Sequence, residues 1–231
     1  MNINGCKLVV NRTNRKRSVL ISVMGSIVTL GVPKNLSDVV VKGILDSKRS
    51  WILSKLKKEE LRSPKKRIRY ISGESVSYLG RKYPLRISYG LQNALSLKEG
   101  KFEFTIFDRK KSYNDTVKKL MFAWYQGRAR RLLVKKTKIF SESMGVSPQS
   151  ITVKDYKSRW GACSIKGHLF FNWRIIMAPI KIIDYLVVHE LCHLLEYNHS
   201  KNFWNHVSNN CVHYEKSRKW LKEFGKEFIE M

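Results

Sequence analysis

The chain has 231 residues, 43% of them hydrophobic, enough for one large domain or two small ones with an ample core. It carries 45 Lys and Arg against 18 Asp and Glu, a net charge of +27, so it attracts polyanions rather than cations. No apolar run approaches the roughly 20 residues of a membrane span, and the basic start does not read as a secretory signal. Four scattered cysteines (Cys6, Cys163, Cys192, Cys211) form neither a disulfide framework nor a zinc ribbon. They suit a reducing compartment, so a cytoplasmic location is expected.

The first third alternates as strands do. Residues 6–10 make one, and residues 19–23 and 27–30 make two more around Met24-Gly25-Ser26, a hairpin signal. Ser37 then reads as a helix cap with Asp38 in the first turn. Val40, Val41, Ile44, Trp51, Ile52 and Leu56 recur on one face of a single helix reaching about Leu61. Residues 63–67, Ser-Pro-Lys-Lys-Arg, form a basic connector. Strands follow at residues 76–79 and 83–87 around Gly80-Arg81-Lys82, and at 94–97 and 102–107 around Glu99-Gly100. Residues 1–110 are thus expected to be β-rich, mostly antiparallel, with one helix and no chemical motif.

Asn114 opens a long helix to Met144, stopped by Gly145. Its apolar face holds Val117, Leu120, Met121, Trp124, Tyr125, Ala129, Leu132 and Leu133, and its outer face is basic. The basic excess is steepest early in the chain, with 25 Lys and Arg against 8 Asp and Glu up to Ser112, and 20 against 10 beyond. Nucleic acid is therefore a candidate partner, through the basic N-terminal half. Residues 151–153 start a strand. Residues 157–164 and 168–174 flank the Lys166-Gly167 turn as a hairpin. Arg159, Asn172 and Arg174 there are candidates to stabilise an oxyanion, orient a ligand or pair with Asp184.

Pro179 opens an apolar helix containing Ile182, Ile183, Leu186, Val187, Leu191, Leu194 and Leu195. Inside it stands His189-Glu190-Leu191-Cys192-His193. By residue frequencies H-E-x-x-H arises by chance in about one chain in a hundred of this length. On a helix, i and i+4 share a face, so His189 and His193 can grip one metal ion, and Glu190 can reach a metal-bound water. Polar groups in such a buried helix need partners. A third ligand is required. His199 fits by spacing, with Glu215, His206 and His213 as alternatives, and Asn198 offers a left-handed residue to end the helix. Cys192 reads as a buried structural thiol. Ser200 caps a short helix containing Phe203, Trp204 and Val207, and residues 215–230 form the last helix.

Ser158-Arg159-Trp160-Gly161-Ala162-Cys163-Ser164, Asn172-Trp173-Arg174, residues 183–193 and Asn198-His199-Ser200-Lys201-Asn202-Phe203-Trp204 together resemble the YgjP-like metallopeptidase family. That family is related to SprT-like and WLM-type minimal zincin domains. Tyr78-Leu79-Gly80-Arg81 and Trp51-Ile52 extend the resemblance over nearly the whole chain, while Ala162 stands where the family often has Ser. The resemblance implies one Zn2+ held by His189, His193 and His199, Glu190 as general base, and protein or peptide substrates. The expected fold is α+β: a β-rich region over residues 1–110, then a zincin-like helical and β metallopeptidase domain over residues 111–231. Two other readings remain at this point: a metal-dependent hydrolase of non-peptide amides or esters, and a nucleic-acid-associated protein with a structural or silent zinc site.

Overall fold

The structure, a computed structural model, describes residues 2–3, 6–60, 68–107 and 113–229. The basic connector at 63–67 lies outside the described residues. Contacts divide the chain into two compact units, Met1–Lys66 and Arg67–Met231. That division falls earlier than the one expected after residue 110. The second group of strands shares a core with the long helix, burying Val76, Leu85, Phe102, Phe104 and Ile106 with Val117, Met121 and Tyr125.

The first unit holds β1 (Asn2–Ile3), β2 (Cys6–Thr13), β3 (Leu20–Met24) and β4 (Ile27–Pro33), in the order β1-β2-β4-β3. Two helices follow, α1 (Asp38–Ser47) and α2 (Arg49–Glu60), where one was expected. The Ser37 hydroxyl caps α1 by accepting from the Val40 N–H at 3.5 Å. Lys48 leaves helical geometry, φ −105° and ψ 6°, and breaks the run. Val28, Leu30 and Val32 bury against Val41, Leu45 and Ile52. The buried stripe of α1 runs through Val41 and Leu45, leaving Val40, one position off it, 47% exposed; Trp51 is 44% exposed.

The second unit opens with β5 (Ser75–Tyr78), β6 (Arg81–Tyr89), β7 (Ala94–Lys98) and β8 (Lys101–Ile106), in the order β5-β6-β8-β7. Both four-stranded sheets therefore share one topology. Each has antiparallel outer pairs around a central parallel pair, β2 with β4 and β6 with β8. The sheets are mostly antiparallel, as expected; the central parallel pairs were not foreseen, because alternation fixes the face of a side chain and not the neighbour of a strand. In each sheet the third strand skips one slot, and the fourth fills it.

Helix α3 (Tyr113–Met144) starts one residue before the expected Asn114 cap and ends at Gly145, which is left-handed at φ +66°. A three-stranded sheet follows, β9 (Ser150–Lys154), β10 (Gly161–Cys163) and β11 (His168–Asn172), with β11 central and β10 on an edge. The expected hairpin is β10 with β11. After a buried 3-10 turn, Trp173–Met177, come α4 (Ile180–Cys192), α5 (Lys201–Asn210) and α6 (Tyr214–Ile229). Helix α4 is the hub of this unit, packed on α3, α5, α6 and β10. No helix among the described residues is long and apolar enough to cross a membrane.

The start of α4 is pinned by the β5–β6 turn. Leu79 and Gly80 are both left-handed, φ +49° and +79°, as a tight two-residue hairpin requires. Their N–H groups donate to the Ile176 and Met177 carbonyls at 2.9 and 3.1 Å. A Cβ on Gly80 would lie 2.8 Å from the Cα of Pro179. Gly80→Ala therefore adds both a conformational and a steric cost. It is expected to destabilise the protein by about 2 kcal/mol or more, read as a lowered melting temperature.

Candidate metal centre

His189 and His193 stand one turn apart on one face of α4, at its end. His193 is the C-cap, and the chain closes there through Leu194 and Leu195 N–H donation to the Leu191 and Cys192 carbonyls. Asn198 is not among the left-handed residues, so the expected stop at that position is replaced by this turn. The turn swings the following segment back over the helix face. His199, just ahead of the Ser200 cap of α5, arrives beside the other two.

The ligand nitrogens of His189, His193 and His199 all lie within 4.8 Å of one another, and the three form the one such cluster among the described residues. Nε2 of His199 and Nε2 of His189 are 3.2 Å apart. Nδ1 of His193 meets the Glu196 carbonyl at 3.2 Å, leaving its Nε2 for the shared centre. Glu215, His206 and His213, the alternative third ligands, are not in the cluster. Glu215 instead accepts from the Tyr214 hydroxyl at 3.4 Å. Cys192 is fully buried among Val188, Phe203 and Val207, as a structural thiol is.

Two neighbours that sequence reading left out of the site shape it. The ring of buried Phe203 lies 5.0, 4.5 and 4.7 Å from the rings of His189, His193 and His199. It forms an apolar floor under all three. Trp204 stacks on His199 at 5.7 Å. The second neighbour is Gly161 on β10. A Cβ there would sit 2.3 Å from Oε1 of Glu190, so only glycine leaves room for that carboxyl. The placement of Ser200 and the apolar Phe203 after His199 hinted at the first; nothing in the Trp160-Gly161 pair alone signalled the second.

Electrostatics favour a cation here. Burial lowers His189 to about 3, helped by His193 and His199, and burial lowers His193 as well, which favours the neutral form of these two imidazoles. Buried Nδ1 of His189 has no hydrogen-bond partner. Burial pushes Glu190 up to about 8, opposed by the charge of Arg159. Crowded imidazoles beside a buried carboxyl are a fitting donor set for a borderline-soft divalent ion.

Of the three other candidates, Asn172 and Arg174 turn out to brace a loop. The Asn172 side-chain amide donates to the Tyr156 and Arg159 carbonyls at 2.8 and 3.1 Å, and its oxygen accepts from the Arg174 N–H. Arg174 pairs with Asp155, whereas Asp184 pairs with Lys136 at 2.9 Å. Arg159 lies exposed over the Tyr156 ring. His168 opens β11 half-buried, its Nδ1 2.8 Å from the Ser150 hydroxyl.

The profile of the YgjP-like metallopeptidase domain matches residues 16–224. The chain belongs to the YgjP-like metallopeptidase family. It is a metal-dependent peptidase by that membership. Two solved structures are similar to part of it. The metallopeptidase zymogen abylysin of Pyrococcus abyssi shares 19% identity over 39% of this chain and 94% of its own, at a TM-score of 0.34. The metallopeptidase zymogen jannalysin of Methanocaldococcus jannaschii shares 21% over 38% of this chain and 93% of its own, at 0.33. No curated protein matches the chain.

A pH test of the site follows from Glu190. With its folded pKa raised from 4.5 to about 8, the metal-free fold holds that proton more tightly than the unfolded chain. The contribution is fully present below the unfolded value and is lost as pH rises through the folded one. Glu190→Gln removes this titration. In chelator-treated protein its stability relative to wild type should rise between about pH 5 and pH 8, by up to about 1.4 kcal/mol per pH unit. Parallel melting curves across that range would contradict the burial of an ionisable carboxyl.

Proposed function

We propose that this protein hydrolyses peptide bonds at a zinc ion held by His189, His193 and His199, with Glu190 as general base. The observation that carries this reading is the convergence of three imidazoles beside one buried carboxyl. Zinc bound there supplies Lewis acidity, polarising a carbonyl and acidifying a water. The three histidines would hold the ion, with Glu190 next to His189 on the same helix. An adjacent dication favours the ionised form of Glu190 despite its burial. Glu190 then takes the proton of the attacking water and delivers it to the leaving amine.

The fold supports a protein or peptide substrate. β10 is an edge strand, and its Gly161 touches Glu190. An extended peptide added along that edge brings its backbone carbonyls past the carboxylate. Tyr197 donates to the Ile165 carbonyl at 2.6 Å, tying the His199 segment to the far end of the same hairpin. Cys163, Cys192 and Cys211 form no disulfide among the described residues, which suits a reducing cytoplasm.

Cleavage of an unstructured protein such as casein, beside a panel of small amides and esters, tests this. Glu190→Gln is expected to lose at least about 10²-fold in turnover, and chelation to abolish it. A Glu190→Gln protein that cleaves like wild type would overturn the mechanism, and turnover of the small amides alone would overturn the substrate class. Gly161→Ala must displace the carboxylate. About an ångström of misplacement costs on the order of 10²-fold, so kcat should fall while KM changes little.

A further inference from the structure

Helix α3 carries a feature that the metal centre does not use. Between Asp115 and Glu142 it has eight Lys and Arg and no acidic residue. Lys136 is committed to Asp184, and Lys118 and Arg128 lie over the rings of Phe122 and Trp124. The other five, Lys119, Arg130, Arg131, Lys135 and Lys138, are exposed, and none makes an ion pair among the described residues. At 100° per residue they fall within an arc of about 160°, turned away from the buried stripe, and span about 29 Å of helix axis.

An ordinary solvated helix face mixes signs at i+3 and i+4. Here Arg131 and Lys135 stand at i,i+4, and Lys135 and Lys138 at i,i+3, like charge beside like charge. The helix dipole does not account for them, since the last turn has no basic residue. A rigid row of unpaired cations complements a rigid row of anions. Duplex nucleic acid presents about one negative charge per 1.7 Å of axis. A lipid surface fits less well. Stable attachment there needs an apolar helix face, and the apolar stripe of α3 (Val117, Met121, Tyr125, Ala129, Leu133) is spent in the core.

We infer that the exposed basic face of α3 is a docking surface for the phosphodiester backbone of a nucleic-acid duplex. Lys and Arg on phosphate carry register and affinity, not sequence, so binding is sequence-independent. The inference rests on charge placement, not on the peptidase reading, and stands or falls without any measurement of cleavage.

The test is binding of the full-length protein to a fluorescent mixed-sequence 20-base-pair DNA duplex across a salt series, by anisotropy. Arg130→Gln/Arg131→Gln/Lys135→Gln removes three of the five cations. It should make the slope of log K against log salt shallower by about three and weaken binding by at least about tenfold at low salt. Arg15→Gln/Lys16→Gln/Arg17→Gln removes three equally exposed cations from the first unit and should keep the wild-type slope. Unchanged circular dichroism shows that both variants remain folded. An α3 variant that binds like wild type overturns the inference. So does an equal loss in both variants, which would assign binding to net charge alone. Binding only to phosphatidylserine vesicles, with none to the duplex, overturns it in favour of a membrane surface.

Discussion

A carboxyl and an imidazole are forced into the apolar helix α4, the first buried and the second half-buried. Glu190 is 4% exposed, and His189 lies one residue before it, over the ring of Phe203. Each would be more stable uncharged, as its shifted pKa records. Such a pair is costly in a core without a compensating charge. In the proposed centre a dication supplies that charge. The imidazoles would become its ligands, and the carboxylate would regain its ionised form beside it. Much of the second unit then reads as support for this placement. The Leu79-Gly80 turn fixes where α4 begins, and the turn after His193 decides where it ends. Phe203 floors the cluster, and Gly161 on the edge strand leaves the space that Glu190 fills.

The chemistry of the site was far more legible in the sequence than its surroundings. His189, Glu190 and His193 follow from helical periodicity, because i and i+4 must share a face. Spacing favoured His199 for the third position but left Glu215, His206 and His213 as alternatives, and resemblance strengthened it. The structure brings His199 to the cluster by ending the helix at His193, a stop that Asn198 does not provide. Gly161 was invisible because its role is an absence of atoms, which no local pattern marks. Phe203 was placed in the short helix after Ser200, but its contact with three histidines depends on tertiary placement.

Strand positions and hairpin partners were read well, and the pairings between hairpins were not. Alternation marks which face is buried, so residues 20–24, 27–33, 94–98 and 101–106 were found. It does not say which strand lies beside which. The parallel pairs β2 with β4 and β6 with β8 depend on strands far apart in sequence. The division between units was misplaced for a related cause. Phe102 and Phe104 look like part of an N-terminal β region until Trp124 and Tyr125 of α3 are packed against Phe102. The break at Lys48 carries no Pro or Gly to announce it.

The central claim is that three histidines form one metal centre, and metal content tests it most directly. Wild type and His199→Ala, purified in parallel without an affinity tag and re-equilibrated with zinc, would be compared by elemental analysis. A site of three protein ligands predicts about one zinc per chain in wild type and a marked loss in the variant. Full zinc retention by His199→Ala, or a wild type that takes up no metal, would contradict the account.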